Sequence, residues 1–580
     1  MRTAVYFSLL LWCGTGSATL RDPSAAAIAS AHPLATQAGR EIIDTGGNAF
    51  DAAIAVAAAL AVVEPYSSGI GGGGFFLLHR AVSNTNIFLD ARERAPIAAT
   101  KEMYLDAKGE IIRNKSLNGA LAAAIPGTPA ALVHLALNYG RLPLERSLAP
   151  AIKLARDGFP VSEHYRTMAS FRQDVMAQDP ATAEIFLDHL EVPINRFVLK
   201  QRDLAVTLGR LTTQGAAGFY EGETADLLVD GNQAGNGIWI LEDFAQYRVI
   251  EREPLVGHYR DMEIVSAPPP SSGGIVMLEA LNMLENYELS SMSDNDRRHL
   301  TIEAMRRAYR DRAEFLGDPD FGDIPIARLT GKAHAKAIGA DIALDKATPS
   351  SMLKPIAPPS QGNHTTHFSI LDTEGNRVAA TLSVNTPFGA CFTPPGTGVL
   401  LNNEMDDFSS LPLTPNAYGL VGVDANAIVP GKRPLSSMTP SFLITKNRIG
   451  ILGTPGGSRI ISMVLLSALE FYAGSEPDAW VGLPRYHHQY LPDEVLYEPA
   501  AFDDAAITEL KARGHSFRRS ERDYGNMHAI LWDRATNKVS AASDPRGEGL
   551  ATVWSSPVEE IPVPRKISSP TRATLRNSRM

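Results

Sequence analysis

The sequence predicts an α+β protein of layered build, and three observations carry that expectation. The 580 residues exceed what one ordinary core encloses, so two lobes or one large layered domain is expected. From about Gly127 to Val265 the apolar spacing is mainly helical, broken by polar and Gly/Pro positions. Further on, Phe368 and Ile370, then Val378, Ala380, Leu382 and Val384, alternate with mostly polar neighbours around a turn signal at Glu374-Gly375-Asn376, as in a β-hairpin.

The composition narrows the class of partner. The hydrophobic fraction is 44% and the charged fraction 20%, ordinary for a globular protein in water. The formal charge of −10 favours neither nucleic acid nor an anionic membrane.

The N-terminus reads as an export signal. Arg2 precedes an apolar run from Ala4 to Trp12, then Gly14-Thr15-Gly16-Ser17-Ala18. The run is too short to span a bilayer and ends in small residues. Residues 1–18 are therefore expected to be removed and the protein exported, to the periplasm or the medium. Trp12 is bulky where a lipoprotein signal needs a small residue, which argues against lipidation at Cys13. Loss of the signal leaves Cys391 as the sole cysteine, so no internal disulfide is expected. No second segment is long enough for stable membrane insertion.

Asn48 to Glu64 is expected to be a helix, with Asn48 as N-cap, Asp51 in the first turn and Pro65 closing it. Its apolar residues lie all round, which predicts burial between layers. Gly71 to Gly74 follow, then a strand at Phe75–Leu78. The glycines lack a GKS or GKT ending and precede a strand, so they read as close backbone packing, not a phosphate loop. Asn86–Asp90 is a second strand, delivering Ala91-Arg92-Glu93-Arg94. A helix is expected from Ile275 to Leu284 and another from Asp294 to Phe315. The second carries Arg306, Arg307, Arg310 and Arg312 among acids, a pattern read here as a solvated face.

A Pro-rich connector, Pro349 to Pro359, precedes Asn363-His364-Thr365-Thr366-His367. The hairpin's first strand opens at Thr365, which a tight turn would set opposite Val384, between Ser383 and Asn385. A hydroxyl-bearing residue at a strand start, after a linker that can be cut, suits an N-terminal nucleophile. The hydroxyl attacks and the amine freed by cleavage is its base. A free α-amine, with a pKa of about 7.7–8.0, is well placed for that work. Gly456-Gly457 before the helix from Ile460 can aim backbone N–H groups at an oxyanion. Arg92 can hold a carboxylate, and Asp407 or Glu404 an ammonium. A loop from Leu411 to Gly431 holds Tyr418. His487-His488 reads as a packed pair, since no third ligand at metal spacing is visible. The tail from Ile561 is expected to be disordered.

Together these segments resemble the γ-glutamyltranspeptidase (γ-glutamyltransferase) family of N-terminal nucleophile hydrolases. The motifs that carry the resemblance are AHPLATQAGREIIDTGGNAFDAA, EPYSSGIGGGGF, DARERAP, APPPSSGG, TTHFSI, LLNNEMDDFS, GKRPLSSMTPS, GTPGGSRI and PRYHHQYLPDE, spread from about Ala29 to Asp544. The resemblance implies a four-layer αββα sandwich with a helical large-subunit lobe. It implies a proenzyme cut between His364 and Thr365, giving a large subunit of 19–364 and a small one of 365–580, with 365–560 as catalytic core and 561–580 as tail. Thr365 would then be the nucleophile and Arg92 the ligand of the substrate α-carboxylate. Glu404 and Asp407 would bind the α-ammonium. Asn385, Ser436 and Ser437 would position the glutamyl group, and Gly456 and Gly457 would form the oxyanion hole. Tyr418 would gate the site from a lid loop. Ser383 stands near the nucleophile's amine where many members carry threonine, and Thr454 replaces a usual serine.

The implied donors are glutathione and other γ-glutamyl compounds. The implied acceptors are water, amino acids and dipeptides, and neither cofactor nor metal is called for. Two rivals remain: a glutaryl or cephalosporin acylase on the same scaffold, and a secreted binding protein that never matures. Asp407 argues against the first, because a glutaryl substrate has no ammonium to pair with it. Thr365, Arg92, Asp407 and Gly456-Gly457, all intact, argue against the second.

Overall fold

A computed structural model describes residues 22–353, 365–409 and 424–555. The expected signal segment, His364 with most of the Pro-rich connector, Tyr418 and the C-terminal tail lie outside the described residues.

In chain order the strands of the two large sheets are β1 (Ala26–Ser30), β2 (Gly73–Arg80), β3 (Thr85–Ala91), β4 (Ile250–Arg252), β5 (Leu255–Tyr259), β6 (Met262–Ser266), β7 (Thr366–Leu371), β8 (Arg377–Ser383), β9 (Ser441–Ile444), β10 (Arg448–Gly453), β11 (His528–Asp533), β12 (Lys538–Ser543) and β13 (Leu550–Trp554). One sheet runs β13-β1-β7-β8-β2-β3-β4 and the other β12-β11-β10-β9-β6-β5. The pairings are antiparallel, including the central β7–β8 hairpin. Five helices matter below: α1 (Pro33–Asp44), α2 (Ala49–Val63), α3 (Gly273–Leu284), α4 (Asp294–Phe315) and α5 (Ile460–Tyr472).

The two-residue period of β2 shows how the layers stack. Phe76 and Leu78 join the core formed with α1 and α2, whereas Phe75 and Leu77 join Ile264, Phe442 and Ile451 of the other sheet. On the far side α3 and α5 cover the second sheet, with Leu278 against Gly257 and Phe471 against Gly450. The result is the expected αββα sandwich, with a helical section from Thr128 to Ala245 packed onto the α2 side.

The fully buried α2 meets the sequence expectation. Asn48 caps it by accepting from Phe50 N and Asp51 N, while Asp51 accepts from Asn48 N at 3.0 Å, a reciprocal capping box. The glycine run also behaves as expected. A Cβ on Gly71 would sit 2.1 Å from Leu400 O, and one on Gly72 2.1 Å from Ser383 O. The chain crosses beside the end of β8 there with no room for a side chain.

Three expectations need correction. The helical patterning after Gly127 ends at Ala245, and the stretch up to Ser266 forms β4, β5 and β6. Short strands joined by tight turns carry too few residues for periodicity to separate them from helix. The hairpin register is also one residue off: Thr366 pairs with Leu382, so Thr365 continues opposite Ser383, not Val384.

The third correction concerns α4, whose bounds match but whose charged face is not solvated. Glu303, Arg306, Arg307, Asp311 and Arg312 are all buried. Arg306 pairs with Glu303 and Asp493, and Arg307 with Glu303 and Asp341. The partners at 341 and 493 are remote in sequence, so helix periodicity carries no trace of them. Among the described residues no helix is long and apolar enough to cross a membrane.

Candidate active site

The site lies where the first residues of β7 meet the ends of β3 and β8 and the start of α5. Thr365 directly precedes β7 and is 6% exposed. The next residue is anchored firmly: Thr366 Oγ1 donates to Glu64 Oε2 at 2.7 Å, and Tyr66 donates to the other oxygen at 3.3 Å. Burial pushes the Glu64 carboxyl up to about 7, against the opposing pull of those two hydroxyls. Across the hairpin, Ser383 Oγ accepts from Asn385 N at 2.7 Å. Asn385 has φ 75, and its Nδ2 donates to Asn403 O at 2.9 Å. That bend turns the chain out of β8 and over the pocket.

Arg92 leaves the end of β3 and enters a buried ionic cluster. Its Nη1 lies 2.7 Å from Glu404 Oε2 and its Nη2 2.5 Å from Asp407 Oδ2, while Nε donates to Pro434 O at 3.2 Å. Glu404 and Asp407 share one 3₁₀ turn, Glu404–Asp407, which places both acids on the same guanidinium. Glu93 lies at 3.4 Å from Nη1. Burial, with added repulsion from neighbouring carboxylates, pushes Glu404 well above the usual carboxylate range and Glu93 up to about 7. Burial pulls the Arg92 guanidinium down, but the three acids outweigh it and hold it charged. Among the described residues, neither Glu404 oxygen has a hydrogen-bond donor aligned on it, although Arg92 is in ionic contact.

Ser436 and Ser437 sit on a loop tied to the α3 entry. Ser272 donates through N and Oγ to Ser436 O at 2.8 and 2.7 Å. Ser436 Oγ accepts from Met438 N at 3.1 Å, and Ser437 Oγ accepts from Arg312 Nη2 at 3.3 Å. Both contacts use oxygen lone pairs, so each hydroxyl hydrogen can still be donated. On the opposite wall Gly456 has φ 145 and Gly457 φ 58, followed by a 3₁₀ turn into α5. Tyr309 of α4 donates its hydroxyl to Ser458 O and steadies that turn.

Thr365, Ser383, Asn385, Arg92, Glu404, Asp407, Ser436, Ser437 and Gly457 line one small pocket of about 20 Å³. Gly456 instead lines a cleft of about 760 Å³, and among the described residues Thr365 is the one the two share. So the residues picked out in the sequence converge, apart from Tyr418 and His364, which are not described. Glu64, Glu93, Tyr309 and Arg312 were missed as parts of the site. Glu93 had a signal, its place beside Arg92; the others are recognisable only through contacts distant in sequence. His487 and His488 are buried as expected, and burial lowers them to about 3 and 4.

The chain matches known proteins over most of its length. The family model described as Gamma-glutamyltranspeptidase matches residues 35–554. The chain is 40% identical over 527 residues to a protein of Escherichia coli (strain K12) named Glutathione hydrolase proenzyme, covering 90% of each. It is 35% identical over 522 residues to the Acylase ACY 1 proenzyme of Pseudomonas sp. (strain SE83), covering 88% of this chain and 90% of that one. Among solved structures, a cephalosporin acylase from Bacillus halodurans superposes with a TM-score of 0.80 at 28% identity, over 94% of this chain and 99% of that one.

Proposed function

The chain belongs to the gamma-glutamyltranspeptidase family, and on that premise we propose that it is a self-processing γ-glutamyltransferase and glutathione hydrolase. One observation carries the reading: among the described residues, Thr365 alone lines both the small charged pocket and the wide cleft. A bond lying across Thr365 would have an amino-acid head on one side and its leaving group on the other.

In maturation, Thr365 Oγ attacks the carbonyl carbon of His364, the peptide becomes an ester, and water hydrolyses it. The products are a 19–364 fragment and a 365–580 fragment that begins with a free α-amine. In turnover that amine takes the Thr365 hydroxyl proton as Oγ attacks the γ-carbonyl. Gly456 and Gly457 N–H groups stabilise the oxyanion, and their positive φ values suit glycine at this turn. The amine returns the proton to departing cysteinylglycine. Water, or the amine of an amino acid or dipeptide, then attacks the threonyl ester.

The small pocket suits a glutamyl head. Arg92, with hydroxyl hydrogens from Ser436 and Ser437, faces the α-carboxylate. Asp407 and the unaligned Glu404 carboxylate receive the α-ammonium, which supplies the donors that Glu404 lacks. Ser383 and Asn385 line the pocket beside Thr365 and hold the amine and the glutamyl chain in place. The N-terminal segment directs export to the periplasm or the medium, and the two fragments stay together as a heterodimer.

The acylase relative and the acylase structure make a glutaryl acylase the second reading. Three carboxylates around one arginine are costly to keep for a substrate without an ammonium, which favours the glutamyl reading. Thr365→Ala is expected to give one uncut chain with no turnover of γ-glutamyl-p-nitroanilide. An active, two-fragment Thr365→Ala protein would refute the proposal.

A further inference from the structure

We propose that Arg172 is the carboxylate receptor of the wide cleft, binding the terminal carboxylate of the leaving cysteinylglycine. This assignment rests on the functional reading above and extends it to the leaving-group side. It makes the enzyme selective for γ-glutamyl donors whose leaving group is a peptide acid.

Arg172 lines the same cleft as Thr365, together with Thr386 and Gly456. Its guanidinium is held by three neutral acceptors. Nε donates to Cys391 Sγ at 3.2 Å, and Nη2 donates to Asn118 Oδ1 at 2.7 Å and to Gly389 O at 3.1 Å. Among the described residues Arg172 has no ion-pair partner, and its Nη1 hydrogens have no acceptor. Of the cleft's other arginines, Arg519 and Arg522 are solvent-exposed, Arg522 lying over the Phe171 ring at 4.5 Å, and three are engaged by neighbours. Arg546 pairs with Glu498 and Asp544, and Arg518 with Glu494. Arg459 lies over the Tyr524 ring at 4.4 Å.

A guanidinium fixed at three points, with its charge unbalanced and two donors unspent, is already organised for a carboxylate. The acceptor Gly389 lies four residues after Asn385, in the chain that leaves the small pocket. Two extended residues span at most about 7 Å. Thr365 and Arg172 line the same cleft of about 760 Å³, a volume with room for a dipeptide leaving group.

The test pairs a protein change with a ligand change, so that general damage cancels. Glutamate release is measured from glutathione and from its C-terminal carboxamide, with γ-glutamyl-p-nitroanilide as a donor lacking any carboxylate on the leaving group. The wild-type enzyme is expected to prefer glutathione over the amide by roughly 10–100-fold in kcat/KM, mainly through KM, the range for a charge-assisted hydrogen bond. Arg172→Gln is expected to shrink that preference to within roughly threefold. Arg172→Lys, which keeps the charge but loses the fork, is expected to fall between. A wild-type enzyme indifferent to the carboxylate overturns the assignment, as does an Arg172→Gln or Arg172→Lys protein that slows both donors equally. Failure of the wild-type enzyme on all three donors would instead overturn the functional reading, and this assignment with it.

Discussion

Arg312 Nη2 donates to Ser437 Oγ at 3.3 Å while its Nε donates to Ser272 Oγ at 2.9 Å, so a buried cation of α4 reaches the small charged pocket through Ser437. Burial pulls this guanidinium down to about 10, yet it stays protonated at neutral pH. Arginine has donors and no acceptor, so Ser437 must accept from it and is left with its own hydrogen to give.

Arg312→Gln is therefore expected to raise KM for γ-glutamyl-p-nitroanilide by roughly 10–100-fold, with a smaller effect on kcat. Both fragments should still appear on a denaturing gel. A loss of kcat at unchanged KM would argue against this positioning role.

Asp407→Asn should separate the two substrate readings. It keeps the shape and removes the charge expected to face the α-ammonium. Use of γ-glutamyl-p-nitroanilide should fall by roughly 10–100-fold, while any glutaryl-p-nitroanilide activity holds or rises. Equal loss on both substrates would sink the assignment of Asp407 to the ammonium.

Glu64 predicts a pH dependence of stability. Its carboxyl is raised from 4.5 to about 7 in the fold, so the folded state binds the proton more tightly than the unfolded chain. The associated stabilisation is complete below about 4.5 and is lost as pH rises through about 7, on the order of 3 kcal/mol in total. Glu64→Gln has no proton to lose. Its urea midpoint relative to wild type should climb between pH 5 and pH 8, and a constant difference would contradict the prediction.

Gly456→Ala places a Cβ at φ 145, a region L-residues rarely adopt, and 2.5 Å from Met463 Cε. The methionine tip can move, so backbone strain is the larger effect. Turnover is expected to fall by roughly 10²-fold through the displaced N–H groups, checked by kcat on any mature fraction. Wild-type kcat in this variant would exclude Gly456 from the oxyanion hole.

Much of this molecule was legible before folding. The capping box at Asn48, the bounds of α4, the β7–β8 hairpin and the glycine turn before α5 are local statements, written within a few residues of chain. The motif residues Arg92, Thr365, Glu404 and Asp407 were picked out by residue type and setting, and Ser436 and Ser437 through the family resemblance. Their mutual distances were not.

Short-range preference thus settled many of the helices and strands, though not β4 to β6, along with the chemistry each segment carries. Packing assigned the rest: Thr365 against Ser383, the charges of α4 buried instead of wet, and a charged pocket opening onto a cleft at a single threonine. The reason is that desolvation and ion pairing depend on neighbours hundreds of residues away. Arg92 meets Asp407, and Arg306 meets Asp493, only once the two sheets have closed on each other.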